Sequence, residues 1–168
     1  MPMENWRWLA AVIAAHPNSK VVGRTRLQKT VWLLQRLGLP TNYTYSLHFY
    51  GPYSEELKSD IGLAEGLGLI TETSERNMAG DEYFVLTASG STSLPDIREF
   101  RVPLELMAAE SALVLELAAT YDAFRKMGLS HDDALTQVRD MKGDKCENGR
   151  ELRALALLET LSLESRAA

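Results

Sequence analysis

A change of hydrophobic period near residue 68 constrains this chain more than any other feature of its sequence. Before that point three stretches repeat apolar residues at helical spacing; after it, two stretches alternate with period two. The first runs from Glu4 to His16, with Trp8, Leu9, Val12, Ile13 and Ala15 on its apolar face, and Pro17-Asn18-Ser19 stops it. The second runs from about Thr25 to Leu37, with Leu27, Val31, Leu34 and Leu37 in register, and is closed by Gly38 and Pro40. Tyr43 to Tyr50 is aromatic and alternating, which predicts a strand, punctuated by Gly51-Pro52. A third helix follows from about Ser54 to Leu67, with Ser54 as cap, Glu55 and Glu56 in the dipole-favoured first turn, and Leu57, Ile61 and Ala64 buried. Residues 69–73 and 82–87 then predict two strands joined by the turn-prone Asn77 to Asp81. Three helices and a hairpin in this order predict a winged-helix-like domain over residues 1–94, with the aromatic strand available as a third strand.

Residues 95–168 predict a helical extension packed on that domain, so the fold class is mainly α with a small hairpin or three-stranded sheet. Pro103 opens a long helix, about Leu104 to Met127, whose apolar residues lie on several sides: Leu106, Leu113, Leu117 and Phe124 on one, Val114, Ala118 and Tyr121 on another. Such a helix must be covered on several sides. It is either the central pillar of this half or, through residues 104–127, half of a homodimer interface, with the pillar favoured. Ser130 and Asp133 form a capping-box pattern at the start of a helix reaching about Met141, and a last helix from about Arg150 to Leu163 presents Leu152, Leu155, Leu158 and Leu161.

Charge is distributed unevenly. The net charge is −5, yet residues 1–50 hold six Lys/Arg against one acid and the rest hold twelve against twenty-two. That asymmetry predicts oriented electrostatics, and the overall acidity argues against strong duplex-DNA binding, which draws its affinity from neutralised phosphates. A single cysteine, Cys146, excludes an internal disulfide. The longest apolar runs fall far short of the about 20 residues that span a bilayer, and the first residues lack a signal peptide's order; together these predict a cytoplasmic protein. The search for catalytic chemistry finds little. His16, His48 and His131 are far apart and none has a second ligand at metal-binding spacing, there is no phosphate-cradling glycine loop, and no nucleophile elbow. No cofactor, metal or catalytic residue is assigned, and the expectation is a protein that is not an enzyme.

Two constellations remain as candidate partner-binding residues. Arg24, Arg26 and Lys29 place three cations at the N-terminal end of the second helix, where the dipole disfavours them. They predict either a contact for an anion or acidic partner, or a solvated turn in which Arg24 or Arg26 pairs with the acidic third helix. His48, Tyr50 and Tyr53, in the aromatic run around Gly51-Pro52, predict a protein hot spot, a base-stacking platform, or simply core packing with wet hydroxyls. The third helix carries Glu55, Glu56, Asp60 and Glu65 against Lys58, a set that duplex phosphates would repel.

Gly23-Arg24-Thr25-Arg26-Leu27-Gln28-Lys29, the block Tyr50-Gly51-Pro52-Tyr53-Ser54-Glu55-Glu56-Leu57, then Gly68-Leu69-Ile70 and Leu86-Thr87 with Gly90, resemble the YwgA-like group, which is related to SocA-like antitoxin (Panacea) domains. The resemblance covers roughly residues 4–92. It implies a winged-helix-like fold and an antitoxin, regulatory or phage-defence role; a similar domain forms the C-terminal half of DarG-type antitoxins. This chain has no macrodomain, so such a role implies action by binding. The resulting expectation is an interaction module that binds a protein partner, a toxin or effector, through its acidic surfaces and aromatic strand, even by imitating nucleic acid. The alternative is a winged-helix nucleic-acid-binding transcriptional regulator that uses the basic end of the second helix and the wing.

Overall fold

One helix, Ala112–Lys126, is buried on every side and organises the rest of the chain. The computed structural model describes residues 4–90 and 93–164. In chain order the elements are α1 (Asn5–Ala15), β1 (Lys20–Val22), α2 (Arg24–Arg36), β2 (Ser46–His48), β3 (Gly51–Tyr53), α3 (Glu55–Gly66), β4 (Ile70–Arg76), β5 (Glu82–Ala88), α4 (Arg101–Ala108), α5 (Ala112–Lys126), α6 (His131–Lys142) and α7 (Arg150–Thr160). The fold is mainly helical and winged-helix-like: α1, α2 and α3 are followed by the β4–β5 wing.

The third strand of the wing sheet is not the aromatic one. β1 supplies it, pairing antiparallel with β5 so that Val21 faces Leu86, and the sheet order is β1-β5-β4. Val21 and Val22 are β-branched, the residue type a pleated surface favours, but a three-residue strand carries too short an alternation to read. The aromatic segment instead contributes only Ser46–His48, which pairs with Gly51–Tyr53 in a separate hairpin, β2–β3. Gly51-Pro52 thus lies inside a strand, and the reversal falls at Phe49-Tyr50.

The long helix expected over 104–127 is two. Ser111 ends the continuity: its Oγ accepts from the Val114 N–H at 3.2 Å, capping α5, while α4 ends at Ala108. A serine that caps its own backbone competes with helix continuation. α5 packs against α2, β3, α6 and α7 of the same chain. The face that residues 104–127 would have offered to a homodimer is therefore covered internally, and α5 is the pillar. In α7 Leu155, Leu158 and Leu161 face inward, but Leu152 is 71% exposed and lies off the buried stripe. The expected caps form: Ser54 Oγ accepts from Leu57 N–H and Ser130 Oγ from Asp133 N–H, each at 3.1 Å.

Charge is buried with partners where α2 meets α5. The Asp122 carboxylate accepts from Trp32 Nε1 at 3.0 Å and from Arg36 Nε at 2.9 Å. Several donors on one buried carboxylate offset the cost of taking it out of water.

Candidate interaction surface

The two sequence blocks that stood out, Leu27-Gln28-Lys29 and Gly51-Pro52-Tyr53-Ser54, meet in space. Gln28 reads the backbone of Ser54 in both directions: its Nε2 donates to Ser54 O and its Oε1 accepts from Ser54 N–H, both at 2.9 Å. Lys29 Nζ donates to Pro52 O at 2.7 Å. Gly51 sits at φ +95° over α5, and a Cβ there would lie 2.5 Å from Thr120 Oγ1. Only glycine adopts that backbone cheaply and leaves room for the helix. These blocks hold the β2–β3 hairpin between α2 and α5.

Lys29 is therefore not a surface cation. It is 1% exposed, and burial pushes its ammonium down to about 8, against the pull of Glu116 and with the help of Lys142. Arg24 stays at the surface, but its guanidinium is bound by the Glu72 carboxylate of β4 and lies 4.5 Å from the Phe84 ring centroid. Arg26 is half-buried, and its guanidinium donates to the carbonyls of Met107 and Glu110 at the end of α4, at 3.4 and 2.8 Å. The three cations do not form one surface, and neither arginine pairs with α3.

Sequence reading missed the charged cluster beneath the hairpin. Glu116, buried in the middle of α5, accepts from Lys142 Nζ at 2.6 Å and Lys145 Nζ at 2.9 Å. Lys142 also donates to Phe49 O at 2.7 Å, and burial lowers its affinity for the proton. The available signal was an acid inside a run apolar on all sides, which requires an internal cation. Above this cluster the hairpin tip is open: Phe49 is 68% and Tyr50 56% exposed, with ring centroids 5.3 Å apart, edge to face. Lys145 Nζ lies 4.7 Å from the Tyr50 centroid. His48 is exposed and stacks on the half-buried Tyr53 at 5.0 Å.

Beside the hairpin, the exposed surfaces of α3 and of both sides of the wing are acidic. Glu55, Glu56 and Glu65 are exposed on α3, Glu75 and Glu82 on the wing, with Lys58 and Arg76 as the opposing charges. Part of this surface is locked in place. Glu56 Oε1 accepts from Thr44 N–H at 3.0 Å, Asp60 accepts from the Tyr43 hydroxyl at 2.7 Å, and Glu65 accepts from Glu72 N–H at 2.9 Å. Among the described residues no group of three His, Cys, Asp or Glu is placed to hold a metal. No helix among them is long and apolar enough to cross a membrane.

Fold and surface together define a winged-helix-like chain with an acidic α3 and wing, a hairpin clamped by Gln28 and Lys29, and a helical half wrapped on α5. The chain is 30% identical over 150 residues, 86% of its own length and 89% of the relative's, to an uncharacterized protein, YwgA, of Bacillus subtilis (strain 168). It belongs to the YwgA family. No family model matches it, and neither does any solved structure.

Proposed function

We propose that this chain is a non-enzymatic interaction module that works by binding a protein partner in an antitoxin-like or defence-associated setting. The observation that carries the reading is the acidity of the exposed surfaces of α3 and the wing. In a DNA-reading winged helix the corresponding helix meets phosphates. Here Glu55, Glu56 and Glu65 stand exposed on that helix and Glu75 and Glu82 on the wing, and Glu72 takes up the nearest arginine, Arg24. A surface of that sign suits a basic protein patch, including one that itself holds nucleic acid. The open aromatic pair Phe49 and Tyr50 supplies the kind of rigid anchor that dominates protein interfaces. The antitoxin setting rests on the resemblance of the Leu27–Lys29 and Gly51–Ser54 blocks to SocA-like antitoxin (Panacea) domains and to the C-terminal domain of DarG-type antitoxins.

The test is affinity capture from an extract of the native host with the intact chain and with the double variant Glu55→Lys/Glu75→Lys, both checked by melting temperature. The expected result is a basic protein held by the intact chain and retained about tenfold less by the variant, the effect of losing about 1.4 kcal/mol of interface energy. Equal capture by both, or capture of nucleic acid alone, would refute the reading.

A further inference from the structure

A groove of about 480 Å³ opens between α2, the 43–47 segment, the hairpin and the end of α5. That volume lies within the range of small-molecule sites. Its walls are aromatic and apolar: Trp32 and Tyr45 meet edge to face at 5.0 Å, and Leu47, Pro52 and Met127 complete the surround. The Tyr45 hydroxyl is buried without a hydrogen-bond partner, a condition native proteins rarely leave unexplained.

The rim is cationic. Lys126 is exposed, and among the described residues its ammonium is engaged only by the Trp32 ring, 5.2 Å from the centroid, with no carboxylate closing on it. A smaller recess of about 130 Å³ runs on from the groove past Trp32 and Lys126 to Arg36. Asp122, on the core side of this end, is buried and already shared by Trp32 and Arg36, and Glu159 and Glu164 line the next recess, beyond Arg36. An apolar cleft with a free ammonium at its mouth complements a molecule with a flat apolar body and an anionic head. The same rim disfavours a cationic guest, because Lys126 already covers the aromatic face that such a guest would need.

We propose that this groove is a binding site for a small organic anion, an aromatic body lying against Tyr45, Leu47 and Met127 with its carboxylate or phosphate on Lys126. The site is separate from the acidic surfaces and the Phe49–Tyr50 tip, so it stands or falls independently of the partner-binding reading.

The experiment is a titration followed by the methyl NMR signal of Met127 at the groove's mouth, with Met78 on the distant wing turn as internal reference. The probes are 2-naphthoate, 2-naphthyl phosphate, neutral 2-naphthamide and benzyltrimethylammonium. The anions are expected to bind with Kd of about 1 mM or tighter, the level that ordinary ligand efficiency gives for their size. The amide should bind about tenfold more weakly. Lys126→Gln should bring the anions down to the amide's level, while Lys20→Gln, exposed on β1 and outside the groove, should leave them unchanged. Whether carboxylate or phosphate binds tighter decides the natural head group. No movement of Met127 at 10 mM probe, equal binding of amide and anions, insensitivity to Lys126→Gln, or preference for the ammonium probe would each overturn the proposal.

Discussion

Lys29 shows how a residue's charge can mislead when only its neighbours in sequence are known. It stands beside Arg24 and Arg26 and looks like the third member of a basic patch, yet it lies beneath the hairpin and bonds to Pro52 O. Burial holds its folded pKa at about 8, below the 10.5 of an unfolded lysine. Between those two values the unfolded chain binds more protons than the folded one, so stability rises with pH across that window. Below about pH 8 the cost of a buried ammonium is fully present; it is relieved as pH rises towards 10.5. Denaturant unfolding at pH 7.5 and 9.5 should therefore show a gain of about 2 kcal/mol in the wild type, at about 1.4 kcal/mol per pKa unit. Lys29→Met should show a rise smaller by about that amount, keeping what other groups such as Lys142, whose ammonium burial also disfavours, contribute. The same rise in both would mean that other groups cause it and that Lys29 is not held near 8.

At the level of elements, helices with strong stripes and explicit caps were legible. α1, α2, α3 and α6 begin and end within a residue or two of the positions their spacing predicts. Two things were not. The break between α4 and α5 carries neither glycine nor proline, and only the capping geometry of Ser111 reveals it. The clamp on the hairpin joins residues 26 positions apart, and no local pattern encodes that pairing. Both blocks could be singled out as unusual, but their meaning, one side chain reading another segment's backbone, exists only in three dimensions. The clamp makes a sharp prediction at Gly51. Gly51→Ala must accept a positive φ and place a methyl against Thr120 Oγ1, at a cost of about 2–4 kcal/mol from backbone strain and overpacking together. Combining it with Thr120→Ala removes the steric part and leaves the strain, so the double mutant should recover about 1 kcal/mol relative to the sum of the single changes. Strict additivity in urea unfolding would mean that the hairpin does not rest on α5 there.

Across the whole molecule, the sequence's charge asymmetry becomes a division between interior and surface. Several cations of the basic first third are consumed internally: Lys29 by Pro52 O, Arg26 by the α4 carbonyls, and Arg36 by Asp122. The acids of α3 and the wing remain outside. The winged-helix-like scaffold thus carries exposed acids on the helix where a duplex-reading one meets phosphates. Affinity for duplex DNA depends on replacing condensed counterions with cations, and its salt slope counts the phosphates neutralised. These surfaces offer almost none, so a labelled duplex of about 25 base pairs should show no binding tighter than about 10 µM near physiological salt, and no steep salt slope. Binding in the low micromolar range with a slope of several units would move the protein to the regulator class, with the duplex on some other surface. A gain-of-function variant makes the argument symmetrical. Glu55→Lys/Glu75→Lys replaces two negative charges with two positive ones on exposed positions, one on α3 and one on the wing. If shape is already suited and charge is the only obstacle, the variant should bind duplex measurably more tightly than the wild type at low salt and lose that binding as salt is raised. A variant that remains folded and still ignores DNA would show that the acidic surface is not what keeps the scaffold off the duplex.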